Sequence, residues 1–145
     1  MVSYTNRFCA AVMGAGISNA ISSYLTVNRN SLKADYWRYE YGQSRIGKSL
    51  FEDKQSYLDS SPVLNADKIE TPLLIWTGGK DEQVKPDQSF SMYLALRRLK
   101  KQSSLLVYPD EGHAFVTPEA NKDLTQRIQQ WFDCFLKGFQ TDWIK

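Results

Sequence analysis

The chain has few of the residues from which metal and redox centres are built. In 145 residues it holds one histidine, His113, and two cysteines, Cys9 and Cys134. The cysteines lie far apart, with neither the paired spacing of a zinc site nor the density of a disulfide scaffold, and they leave the compartment open. An excess of charge of one sign is also absent: 18 Lys and Arg stand against 16 Asp and Glu, for a formal net charge of +2. Without a basic tract to neutralise phosphates, nucleic acid is not an expected partner. Long hydrophobic runs are missing too. The opening MVSYTNRFCA has no apolar core of signal-peptide length, and no run approaches the roughly 18 apolar residues of a membrane helix. The sequence therefore reads as soluble, with no membrane partner, and fits cytoplasm or periplasm equally. It shows no internal repeat and no low-complexity tract.

What is present is a 42% hydrophobic fraction, enough to bury a core, so one domain is expected over residues 1–145. The apolar run FCAAVMGAG, Phe8 to Gly16, suits a buried strand feeding a turn, and ISNAISSYL suits a short helix after it. From Thr26 to Asp67 the pattern weakens into a polar, aromatic-rich stretch that reads as short helices and loops. Beyond it, Thr71 and Pro72 introduce LLIW, Leu73 to Trp76, and Gly78 and Gly79 end that strand. Pro86 and Asp87 suit the first turn of a helix running to about Lys100, and SLLVY, Ser104 to Tyr108, is the next strand. The last helix is capped by Thr117, starts at Pro118 and stops at Gly138 after Lys137. Its apolar face is Leu124, Ile128, Trp131, Phe132 and Phe135. Buried strands alternating with helices predict an α/β fold, a parallel sheet covered by helices.

In such sheets reactive groups collect at the carboxyl ends of the strands. Two loops qualify. TGGKDEQV follows LLIW and carries Asp81; PDEGHAF follows SLLVY and carries His113. Their spacing of 32 residues leaves room for one crossover helix and one strand, so adjacent parallel strands would present carboxylate and imidazole side by side. A carboxylate on one ring nitrogen fixes the tautomer and leaves the other nitrogen to take a proton from a nucleophile. Each residue also has a plainer reading: a lone loop histidine is commonly solvated, and an Asp after Gly-Gly is commonly a turn residue. Glu82, Asp110 and Glu111 remain alternative acids, Asp81 being preferred for its central place in the loop.

Acid before histidine, each after a late strand, is the order of α/β-hydrolases, whose serine comes first on a G-x-S-x-G elbow. No complete elbow occurs here. GISNA places Ser18 after a strand but replaces the second glycine, and GQSRIG places Ser44 after no strand at all. An elbow at Ser18 would require another strand before LLIW, and Thr26 to Asp67 offers none. FCAAVMGAG is better read as that strand itself, with the elbow upstream of Met1.

Taken together, TNRFCAAVMGAGISN, YGQSRIGKSLFEDKQSYLDSSPVLNADKIETPLLIW, YPDEGHAF and WFDCFLKG resemble the C-terminal part of the catalytic α/β-hydrolase domain of the prolyl oligopeptidase family of serine peptidases, in the branch with dipeptidyl and acylaminoacyl peptidases. The resemblance covers essentially the whole chain. It implies a partial α/β-hydrolase fold, three layers with about three parallel strands flanked by helices. It implies that Asp81 is the triad acid and His113 the general base, with the serine roughly a helical turn or two before Met1. It implies a peptide substrate for the intact enzyme, and no metal or organic cofactor. Thr77 and Lys85 depart from the histidine and proline common in the family at those places; neither change touches Asp81. The family's oxyanion donors and its β-propeller fall outside this chain, which is therefore expected to be catalytically silent alone. An esterase would use the same triad. A non-enzymatic assembly module is the alternative of another class, because a sheet cut before FCAAVMGAG leaves an unpaired edge that predicts a homo-oligomer. Tyr36, Trp37, Tyr39 and Tyr41 read either as pocket lining or as packing beneath a lid, and RRLKK, Arg97 to Lys101, as a solvated helix end.

Overall fold

The computed structural model describes residues 2–144. Its main sheet has three parallel strands in the order β1-β4-β5: β1 at Ala11–Gly14, β4 at Leu73–Gly78 and β5 at Ser103–Tyr108. β1 is shorter than its apolar run because Phe8 and Ala10 precede the pairing that begins when the Ala11 N–H meets the Pro72 carbonyl. β4 is longer than LLIW. Thr77 and Gly78 stay in register with Val107 and Tyr108, so the first of the two glycines ends the strand instead of following it.

The crossover from β4 to β5 is helix α4, Asp87–Arg98, which buries Met92 and Leu96 against Leu73 and Ile75. Alternation along a strand turns Leu74, Trp76, Leu106 and Tyr108 to the opposite face. There the Tyr108 hydroxyl donates to Asp123 of helix α5, Pro118–Lys137, whose Leu124 and Trp131 are buried. Helix, sheet and helix make three layers. α5 ends at Gly138, whose left-handed φ of 75° lets its N–H reach the Asp133 and Cys134 carbonyls. Thr117 departs from the expected cap: its hydroxyl makes no bond to the helix.

Between β1 and β4 the chain makes helix α1 (Ala20–Tyr24), a hairpin of two-residue strands β2 (Val27–Asn28) and β3 (Lys33–Ala34), helices α2 (Tyr36–Glu40) and α3 (Lys54–Asp59), and a 3-10 segment at Pro62–Lys68. This stretch adds no strand to the main sheet, as read from sequence, but the hairpin was not foreseen. Two residues per strand are too few to show an alternation. The excursion has its own core of Ala20, Tyr24, Tyr39 and Tyr57. Of the four aromatics singled out in the sequence, Tyr39 packs there, whereas Tyr41 is 82% exposed and Tyr36 and Trp37 lie at the surface. Arg97 and Arg98 form the exposed last turn of α4, and Lys101 pairs with Glu70.

Candidate active site

β4 and β5 are neighbours in parallel, so the loops after them leave the sheet side by side. They can touch because Gly78 and Gly79 have no side chain. A Cβ on Gly78 would lie 2.2 Å from the Gly112 carbonyl oxygen, and one on Gly79 would lie 2.8 Å from Pro109 Cα. In the first loop Asp81 is 2% exposed, and its Oδ1 accepts the backbone N–H groups of Gln83 and Val84, both at 2.8 Å. Its Oδ2 lies 2.8 Å from His113 Nδ1. With the carboxylate accepting, Nδ1 carries the proton and Nε2 of the neutral ring keeps its lone pair. The imidazole is 32% exposed, so it is reachable from solvent while its acid is not. This is a buried carboxylate orienting a part-open base.

The other carboxylates of these loops are engaged elsewhere. Glu82 pairs with Lys85 at 2.5 Å and Arg29 at 3.5 Å, and the hydrogen bond from Lys85 holds it below the usual carboxylate range. The Arg29 contact, with its N–H bonded to the Glu82 carbonyl at 2.9 Å, ties the β2–β3 hairpin to the acid loop. Asp110 pairs with Lys80 at 2.7 Å and is likewise lowered. Glu111 turns inward to Val116 and Thr117. Two residues past His113, Phe115 is gripped between Trp76 and Tyr108, with ring centroids 5.1 and 4.8 Å away. Tyr108 titrates well above an ordinary tyrosine because burial and its bond to Asp123 oppose ionisation.

A model of the prolyl oligopeptidase family matches residues 1–138. The chain belongs to the prolyl oligopeptidase family. It is 32% identical over 136 residues to the uncharacterized peptidase YuxL of Bacillus subtilis, covering 92% of this chain and 20% of that one. With dipeptidyl-peptidase 5 of Porphyromonas endodontalis it shares 30% identity over 135 residues, 92% of this chain and 19% of the relative. Among solved structures, a puromycin-hydrolyzing peptidase of Mycobacterium tuberculosis aligns with a TM-score of 0.82 at 26% identity, over 99% of this chain and 20% of that chain. The chain thus spans about a fifth of the length of each of these three relatives. The fold is the α/β-hydrolase fold of these peptidases, and no described helix is long and apolar enough to cross a membrane.

Within this member of the prolyl oligopeptidase family, neither serine singled out in the sequence meets the imidazole. Ser18 is fully buried: its hydroxyl donates to the Gln88 carbonyl at 2.5 Å, and its N–H donates to Gln88 Oε1 at 3.0 Å. Asn19 N–H shares that amide oxygen at 2.8 Å, and Gln88 Nε2 donates to Ser22. Gln88 therefore clamps the turn after β1 to the start of α4, just beyond the acid loop. Ser44 is exposed on a turn after α2 that no strand feeds. Sequence reading missed Gln88, and the signal available for it was weak: a polar residue one helical turn before Met92 and two before Leu96, beside the equally buried Ser89.

Proposed function

We propose that this chain supplies the acid and the base of a serine peptidase triad, and that polypeptide outside these 145 residues supplies the nucleophilic serine. The observation that carries the reading is the buried Asp81 carboxylate 2.8 Å from Nδ1 of a part-exposed His113. In the assembled site Nε2 of His113 takes the serine proton as the hydroxyl oxygen attacks the peptide carbonyl, and Asp81 stabilises the resulting imidazolium. The same proton passes to the leaving amine as the C–N bond breaks. Water then loses a proton to Nε2, its oxygen attacks the acyl-enzyme, and the serine leaves reprotonated. Short peptides and N-terminal units are the substrate class, in keeping with relatives named as dipeptidyl peptidases and acylamino-acid-releasing enzymes. We propose further that the chain self-associates through the free edge of β1.

A serine-directed fluorophosphonate tests the triad reading by intact mass. The chain alone is expected to stay unlabelled, and a longer polypeptide carrying the upstream segment is expected to be labelled in a manner that His113→Ala abolishes. An adduct on Ser18 or Ser44 of the chain alone would overturn it.

A further inference from the structure

We propose that Glu111 is a positioning residue for His113. The imidazole stands on a loop, residues 111–117, that has neither strand nor helix to hold it. Its neighbour Gly112 rests its carbonyl against Gly78, whereas a Cβ there would meet nothing nearer than the Lys80 carbonyl oxygen at 3.8 Å, so the backbone beside His113 is held on one side and left free on the other. Glu111 removes that freedom from both ends. Its main chain fixes the near end, the N–H donating to the Tyr108 carbonyl at 3.2 Å and the carbonyl accepting from Lys80 of the acid loop at 2.9 Å. Its carboxylate, in a residue only 3% exposed, fixes the far end by accepting the Val116 N–H at 2.8 Å, the Thr117 N–H at 3.3 Å and the Thr117 hydroxyl.

These bonds reach beyond helix capping. Thr117 is the N-cap of α5, so its N–H is one of the donors that a helix start leaves unpaired, but Val116 lies before the cap. The carboxylate binds the chain before the helix, which is the closing arc of the histidine loop. Ionised acceptors make the stronger hydrogen bonds, so the ring is held by the charged form. The Thr117 hydroxyl, then the Val116 and Thr117 N–H groups, lower the Glu111 carboxyl from its ordinary value against burial and the neighbouring Asp110, which is itself paired with Lys80.

The inference rests on the reading of His113 as the base, but its test does not need turnover. His113 is the only histidine in the chain, so every imidazole resonance reports the site. Long-range proton–nitrogen NMR on the full chain should show the Nδ1–H tautomer, and Asp81→Ala sets the signal of a released ring. Glu111→Gln and Glu111→Ala, checked for folding by thermal melts, are expected to shift the tautomer toward Nε2–H. They should also speed exchange of the Nδ1 proton on the order of tenfold. In the wild type, the Val116 and Thr117 amides should titrate together with the Glu111 carboxyl, below the ordinary glutamate range.

Folded Glu111 variants with an unchanged imidazole would overturn the proposal. So would amides that ignore the carboxyl's titration, and this arm decides if both variants fail to fold. A wild-type ring already in the Nε2–H form would instead sink the acid–base pairing while leaving the Glu111 ring to be judged on the amides.

Discussion

Gly78 and Gly79 lie where two loops must approach within backbone contact, and the acid–imidazole distance depends on that approach. Replacing Gly78 with Ala would put a methyl 2.2 Å from the Gly112 carbonyl oxygen and 2.4 Å from that of Glu111, both fixed main-chain atoms. Neither can move without lifting the histidine loop off β4. Gly78→Ala is therefore expected to destabilise the fold by roughly 1–3 kcal/mol, as overpacking does, and to broaden or shift the His113 resonance. Urea denaturation and the imidazole spectrum would check both; an unchanged midpoint would show that the loop yields freely. At this scale the proximity of Asp81 and His113 was legible in the sequence, because each follows a recognisable strand and turn residues mark the loop. The engagement of Glu111 was not, since it depends on where the chain returns five residues later. Gln88 was further out of reach, because its partners Ser18 and Asn19 lie about seventy positions away.

At the scale of elements, β4, β5, α4 and α5 follow their apolar patterns and punctuation to within a few residues, because long buried runs and a Pro-to-Gly frame are strong local signals. The excursion from 26 to 67 does not, because what organises it is a cluster of tyrosines distant in sequence. Tyr24 contacts Tyr57 edge-on at 5.1 Å, Tyr39 lies 5.6 Å from Tyr57, and the Tyr57 hydroxyl donates to the Lys48 carbonyl at 2.8 Å. Burial, with the neighbouring Tyr24 and Glu40, pushes Tyr57 from 10.0 up to about 12. A group whose pKa is raised on folding stabilises while it is protonated. The contribution of Tyr57 is thus complete below pH 10 and is lost as pH rises from there through about 12. Urea midpoints measured across this window should fall, and fall less in Tyr57→Phe. That variant is expected to cost about 1 kcal/mol at neutral pH because the Lys48 carbonyl loses its donor. An alkaline limb identical in the two proteins would show that Tyr57 does not control it.

The molecule as a whole is a three-stranded parallel sheet with both outer strands at an edge. β1 gives the backbone groups of its odd residues to β4, beginning with Ala11 N–H to the Pro72 carbonyl and ending with Ala15 N–H to Trp76. Strand alternation turns the N–H and C=O of Val12 and Gly14 the other way, where no described residue pairs with them as a strand. Beside this edge is an apolar recess of about 370 Å³ lined by Phe8, Val12, Ile17 and Met92 among others, with Phe8 left 43% exposed. An unpaired edge beside uncovered apolar surface favours strand addition, and a second copy offers the same edge, so two β1 strands can pair antiparallel about a two-fold axis. Sedimentation at micromolar concentration is expected to show a dimer that dissociates on dilution. Val12→Pro removes an N–H on the free side and none that β4 uses, a place where an edge strand tolerates proline, and it should leave a folded monomer. A wild-type monomer would refute pairing through β1, and a dimer that survives Val12→Pro would move the contact to another surface.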